Sequence, residues 1–192
     1  MIGNIMGKDY SGLIMCDGYN GYSERLYLQA HFGTCLVHIR REFVQATNLL
    51  DQEKLKHSSA FQAIKLLGKV FHQEKQLQYR NKEEKRRQRI KYIKPVLDKF
   101  YDYLQSINLP QGKLRAAINN AVKLRHRVYR VFENGQLPLS NNALENKIRF
   151  TTIIRKNCLF AKSVAGAEAN AVYYTLIVTA KLNQLNVADC KK

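Results

Sequence analysis

The chain has 192 residues, 45% of them hydrophobic, and carries 32 Lys and Arg against 15 Asp and Glu, a formal charge of +17. That length and apolar fraction exclude a disordered chain and suit one globular domain with a real core. The charge excess points to a polyanionic partner, either nucleic acid or an anionic membrane surface. No apolar run approaches the roughly 18 residues of a spanning helix, and Met1–Gly7 lacks a basic lead and an apolar run of the secretory kind. The four cysteines (Cys16, Cys35, Cys158, Cys190) form no C-x-x-C pair and no Cys/His cluster, against a zinc site or a disulfide framework. A reduced intracellular compartment is expected.

Gly12–Cys16 (GLIMC) is a short apolar run between Ser11-Gly12 and Asp17-Gly18, and predicts a buried strand ending at Asp17. Tyr19 to about Ala30 predicts a helix with Tyr22, Leu26 and Ala30 on one face. Gly33 should break it, and Thr34–His38 (TCLVH) predicts a second strand, giving a βαβ unit over residues 8–42 with parallel pairing.

After Arg40-Arg41, residues 43–135 predict a helical insertion. Phe61, Ile64, Leu67, Val70 and Phe71 have the spacing of one buried face. Arg80–Arg89 contains no apolar residue and reads either as a solvated helix or as a DNA-holding one. Apolar spacing resumes at Ile90, Ile93, Leu97, Phe100 and Leu104, with Pro95 expected to end one helix and start the next. Asn108–Gly112 marks a turn, and a further helix should run to about Asn134-Gly135. Ala167–Leu185 is apolar enough to pack as a core helix covering a sheet. No internal repeat or low-complexity tract interrupts the chain.

Two carboxylates stand out. Asp17 would emerge at the carboxyl end of a buried strand, where ligand crevices of α/β sheets lie, although an Asp before Gly is also a common turn former. Glu145 follows Asn141 and Asn142 at a helix start and either closes a capping box or serves phosphate chemistry. Carboxylates converging on one point can hold paired Mg²⁺ ions that activate and stabilise the oxygens of a phosphodiester. Arg40, Arg41, Arg155 and Lys156 are candidate phosphate contacts near them, and Arg86, Arg87 and Arg89 candidate DNA contacts in the insertion. Arg149 either contacts DNA or pairs with Glu145 across one helical turn. His38 is assigned a structural or phosphate-side role.

DGYNGY at Asp17–Tyr22, CLVHIRREF at Cys35–Phe43, NNALENKIR at Asn141–Arg149 and RKNCLFAKS at Arg155–Ser163 resemble, in matching order, the transposases of the insertion-sequence 66 family. The likeness runs from about Asp9 to Val187 and includes the helical insertion and Thr179–Asn183. It implies a helix-rich α/β fold, a truncated ribonuclease-H-like domain. It also implies a DNA transposase that cuts and joins strands at transposon ends with an Asp, Asp, Glu metal triad. By that resemblance Asp17 matches the second Asp and Glu145 the Glu, both catalytic and both ligands of Mg²⁺ or Mn²⁺, with His38, Asn141 and Asn142 in support. The implied partners are DNA, with a homo-oligomer or accessory transposition proteins, in a bacterial-type cytoplasm.

The sequence also departs from the family pattern. The family's first Asp has no counterpart here, since Asp9 sits in a short Lys-Asp-Tyr-Ser-Gly turn. Leu36 and Cys158 stand where Trp is usual, Ser140 for Asp, Asn146 for Arg, Phe150 for Pro and Lys162 for Gly. Residues 1–192 are therefore expected to form a single partial catalytic domain, with 138–187 bearing the Glu helix and a packing helix. Metal binding should be weak and strand transfer slight, because each metal loses an anionic ligand. The alternative is a basic DNA-binding remnant or partner module without chemistry.

Overall fold

The computed structural model describes residues 7, 9–17, 27–48, 50–146 and 163–186. It is helix-rich, with a small parallel sheet, and divides into two compact units, Met1–Asn141 and Asn142–Lys192.

In the first unit β1 (Leu13–Cys16) pairs in parallel with β2 (His31–Thr34), Leu13 opposite His31 and Cys16 opposite Thr34. The Gly12 carbonyl accepts from His31 N–H at 3.0 Å and the Cys16 carbonyl from Cys35 N–H at 3.0 Å, so the ladder extends one step past each end. The expected second strand at Thr34–His38 is corrected. The strand lies earlier, and Leu36–Thr47 forms helix α1. Leu36, Ile39 and Phe43, spaced three and four apart, are all buried, and this helical stripe outweighs the β-branched look of TCLVH. Gly33 is a strand residue, not a breaker; a Cβ there would sit 3.4 Å from Leu137 Cδ2, close to ordinary contact. Of the helix expected over Tyr19–Ala30, residues 18–26 lie outside the described residues, and Leu28-Gln29 form a turn closed by Ala30 N–H on the Tyr27 carbonyl.

The insertion is helical, as its spacing predicts. Helix α2 (Gln52–His57) starts at Asp51, which accepts from Lys54 N–H at 2.8 Å, and α3 (Ser59–Gln76) starts at Ser58, which accepts from Phe61 N–H at 3.2 Å. The buried line of α3 is Ala60, Ala63, Leu67 and Val70, with Phe61, Ile64 and Phe71 half-buried at its margins. Helix α4 (Lys82–Gln88) buries none of its own residues and runs through a π-helical turn, Arg89–Ile93, into α5 (Lys94–Ser106). Pro95 does stand in the first turn of α5, yet the helical path does not break. Lys94 N–H reaches back five residues to the Arg89 carbonyl, and this wider turn accommodates the proline, which has no N–H to give.

After a turn in which Leu109 and Gly112 take positive φ (46° and 54°), α6 (Gly112–Lys123), α7 (Arg125–Tyr129) and a 3₁₀ turn (Arg130–Phe132) follow. Helices α1, α3, α5 and α6 pack on one another. Their shared core holds Phe43, Leu67, Val70, Leu97, Phe100, Leu104 and Ala121, all buried. Phe43, Phe100, Tyr101, Tyr129 and Phe132 make successive ring contacts with centroids 5.0–5.8 Å apart. Each fully buried large apolar side chain contributes about 1.5–3 kcal/mol. The sheet has a smaller cluster of its own, Cys16, Ala30 and Phe32, while Leu13 packs against the helical core.

In the second unit residues 142–146 form a short helix α8, and Val164–Leu182 form α9 behind Ser163, whose Oγ accepts from Gly166 N–H at 3.1 Å. The helix expected at Ala167–Leu185 is present as α9. Tyr173 and Leu176 are 61% and 62% exposed, and Ala180 is the helix's buried residue. Apolar side chains fall all around α9 instead of along one stripe, so the sequence defines no single face to bury. Among the described residues no helix is long and apolar enough to cross a membrane.

Candidate functional site: a sheet-end carboxylate beside cationic helices

Asp17 leaves the carboxyl end of β1 exposed to solvent, directly after the buried Cys16. Two backbone bonds assemble its surroundings. Cys35 N–H on the Cys16 carbonyl sets the start of α1 next to the end of β1, and Leu36 N–H donates to the Leu139 carbonyl at 2.9 Å. The stretch that opens at Pro138 thus begins at the carboxyl end of the sheet. Asn141 follows, its side-chain oxygen buried without a hydrogen-bond partner among the described residues.

His38 lies half-buried in the first turn of α1, with Arg40 half-buried and Arg41 exposed further along. Glu42, one turn beyond His38, is desolvated, and burial lifts its carboxyl above the ordinary range. The hydrogen bond from Asn120 (2.7 Å) and the charge of His38 oppose the shift without cancelling it. The start of α1 thus carries His38, Arg40 and Arg41 together with a carboxyl whose pKa is raised by burial.

Helix α7 adds cations that the sequence reading missed. Arg127 Nη1 lies 3.9 Å from Cys16 Sγ and its guanidinium stands 5.3 Å from the Phe32 ring centroid, while Arg130 Nη1 lies 3.0 Å from His31 Nδ1. Arg125 stacks on Tyr101 and Tyr129 at 4.9 and 5.2 Å. The signal was present in RHRVYR at Arg125–Arg130, but the apolar spacing of that segment drew attention away from its charge.

The arginines expected to hold DNA in the insertion divide. Arg86 is engaged by Glu83, with Nη2 to Oε1 at 2.7 Å, and that hydrogen bond raises its pKa. Arg87 remains 76% exposed. Arg89 is corrected: it is 0% exposed and serves the core, donating to Glu74 and to the carbonyls of Val131, Gly135 and Leu137. A side chain so enclosed does not reach a phosphate.

Asn142 is exposed and Glu145 half-buried on α8, in the second unit. The helical residues start at 142, so Asn141 takes the capping position and Glu145 falls one place later than a capping box requires. Arg149, Arg155 and Lys156 lie outside the described residues. Among the described residues no group of three or more His, Cys, Asp or Glu could hold a metal ion. The donors described around Asp17 do not by themselves fit a Mg²⁺ or Mn²⁺ centre.

Asp17 thus stands at the carboxyl end of the sheet, with Arg127 against the preceding Cys16, while Arg130 meets His31, which pairs with Leu13 at the other end. The sequence pattern described as "Transposase IS66 family" matches residues 1–169, and the chain belongs to that family. The uncharacterized proteins y4hP, y4jD and y4qI of Sinorhizobium fredii are 26%, 25% and 25% identical to it over 92%, 92% and 94% of this chain. The chain spans about a third of their length (35%, 36% and 34%). No solved structure matches.

Proposed function

We propose that the chain is a DNA-holding portion of a transposase, with Asp17 and Glu145 as its acidic site residues. The observation that carries the proposal is the family match over residues 1–169, which includes Asp17 at the carboxyl end of a parallel strand. A parallel pair ending in a carboxylate is what a ribonuclease-H-like core requires, and we read the sheet as part of one. Arg40 and Arg41 on α1, with Arg127 on α7, are read as the positive border that a phosphate backbone needs. Arg149, Arg155 and Lys156 are proposed to extend it. Such contacts fix position and carry no base sequence.

Chemistry in this class uses divalent metal held by several carboxylates. The described residues supply too few donors around Asp17. We propose that metal binding by Asp17 and Glu145 is too weak to support cleavage, so that this chain alone binds duplex DNA without cutting it, which also covers the reading of a binding module. Fluorescence anisotropy of a labelled duplex across a salt series tests the binding. Affinity should fall linearly on a log–log plot, by about 0.9 in slope for each phosphate neutralised. A chain that ignores duplex DNA even at low salt would defeat the proposal.

A further inference from the structure

A groove of about 600 Å³ opens between the end of α3, the segment after it and the π-helical turn, away from Asp17. Four glutamines, Gln73, Gln76, Gln78 and Gln88, line it together with Arg87, Lys91 and Tyr92, and no acidic residue does. In a chain with 15 Asp and Glu, an amide-rich pocket bearing two cations and an aromatic ring selects for a particular ligand chemistry. Arg87 Nε lies 3.5 Å from Glu83 Oε1 but its side chain stays 76% exposed, and no carboxylate enters the groove itself, so an anion there would meet Lys91 and the outer part of Arg87. Amides, each both donor and acceptor, suit the edges of a base. Gln88 Nε2 already donates to the Gln78 carbonyl and Gln76 Nε2 lies 3.1 Å from His72 Nε2, which leaves Gln73 and Gln78 as the side chains to do so. A half-exposed ring suits its face.

From this juxtaposition we infer that the groove binds an unpaired stretch of single-stranded DNA, one base against Tyr92 and flanking phosphates on Arg87 and Lys91. Tyr92 is 46% exposed, and Lys91 Nζ lies 5.0 Å from its ring centroid, so ring and cation are presented together. The π-helical turn Arg89–Ile93 is what carries these two residues to the groove, and such turns recur at functional sites. Gln73 contributes a side-chain oxygen that accepts no hydrogen bond from any described residue. The floor is firm, because the buried Arg89 beside it ties α3 to the π-helical turn through Glu74. A duplex presents its bases stacked and paired, whereas a single strand can offer one base at a time to an aromatic platform.

The inference rests on the reading that the chain handles DNA, but it has its own test. Anisotropy is measured with the full chain on a short labelled single strand and on a duplex of equal length. Tyr92→Leu should weaken single-strand binding about tenfold and duplex binding by less than about twofold. Arg87→Gln with Lys91→Gln should reduce the single-strand salt slope by about 1.4, two phosphates at about 0.7 each. Equal loss on both forms, or no loss at Tyr92→Leu in a variant whose circular dichroism is native, overturns the inference. If a variant fails to fold, photocrosslinking of the unaltered chain to a bromouracil-bearing single strand decides. Adducts within residues 73–92 support the groove, and adducts confined elsewhere overturn it. An RNA strand binding tenfold tighter than the DNA strand would overturn the assignment to DNA. Duplex binding that fails while the single-strand result stands would remove the proposed function and leave the groove.

Discussion

Arg89 Nε donates to Glu74 Oε2 at 3.0 Å while Nη2 reaches Oε1, a two-point pairing inside the helical insertion between residues fifteen apart in sequence. Nη1 of the same guanidinium donates to the Leu137 carbonyl at 2.7 Å. One side chain thus ties α3, the π-helical turn and the loop before Leu139 together, and Leu139 receives the N–H of Leu36 at the start of α1. The sheet-end site depends on this anchor without touching it.

Removing Arg89 leaves the carbonyls of Val131, Gly135 and Leu137 without its N–H groups, while Glu74 keeps Lys85 Nζ at 3.4 Å. The cost is that of unsatisfied buried polar groups, about 1–3 kcal/mol. Arg89→Met is expected to lose stability in that range in urea unfolding. Arg89→Lys should also lose stability, because an ammonium cannot serve a carboxylate at two points and a carbonyl at once.

Because Arg89 is enclosed, it should add nothing to the salt dependence of DNA binding. Arg41, exposed on α1, is expected to behave differently. Arg41→Ala should reduce the duplex slope by about 0.9, whereas Arg89→Lys, at a temperature where it is folded, should leave the slope unchanged. Equal slopes for both variants would place the phosphate contacts elsewhere.

Gly135 packs where a side chain has no room. A Cβ there would stand 1.9 Å from the Lys82 carbonyl oxygen and 3.1 Å from Arg86 N. Both neighbours are backbone atoms of α4, one at its first residue and one a turn further on, so α4 itself would have to move. Gly135→Ala should destabilise by about 1–3 kcal/mol, read as a lowered melting temperature. A neutral substitution would mean that the loop can withdraw from α4.

Tyr129 is partly buried and donates its hydroxyl to Asp98 Oδ1. Burial first, and that hydrogen bond next, push its pKa up to about 12 from an ordinary 10.0. The folded chain therefore keeps this proton where the unfolded chain has released it. The stabilisation is complete below pH 10 and is lost as pH rises toward 12. Tyr129→Phe should flatten this part of the stability profile, measured by thermal melts across alkaline pH. An unchanged alkaline slope would exclude Tyr129 as its source.

What could be read from the sequence was local. The run GLIMC between glycines marks β1, and the four ordered motifs point to the family that the match over residues 1–169 shows. The second strand was misread because β-branched composition and helical spacing compete in TCLVHIRREF. The burial of Leu36, Ile39 and Phe43 shows which prevailed. The burial of Arg89 was not legible, since within its own basic run nothing sets it apart from Arg87. Its partners come from α3 and from the loop over residues 131–137, and only the packed chain brings them together. Pro95 misled for a similar reason: its local rule holds, but a π-helical turn satisfies it without ending the helix.

The most direct measurement is a nicking assay on supercoiled plasmid. Purified chain is added with Mg²⁺ or Mn²⁺ at a concentration where a gel shift shows all of the plasmid bound. Bound but intact plasmid, identical for the unaltered chain and for Asp17→Ala, is the predicted result. Robust nicking by the unaltered chain that disappears in Asp17→Ala would contradict the account, since it would mean that these 192 residues assemble a working cleavage centre on their own.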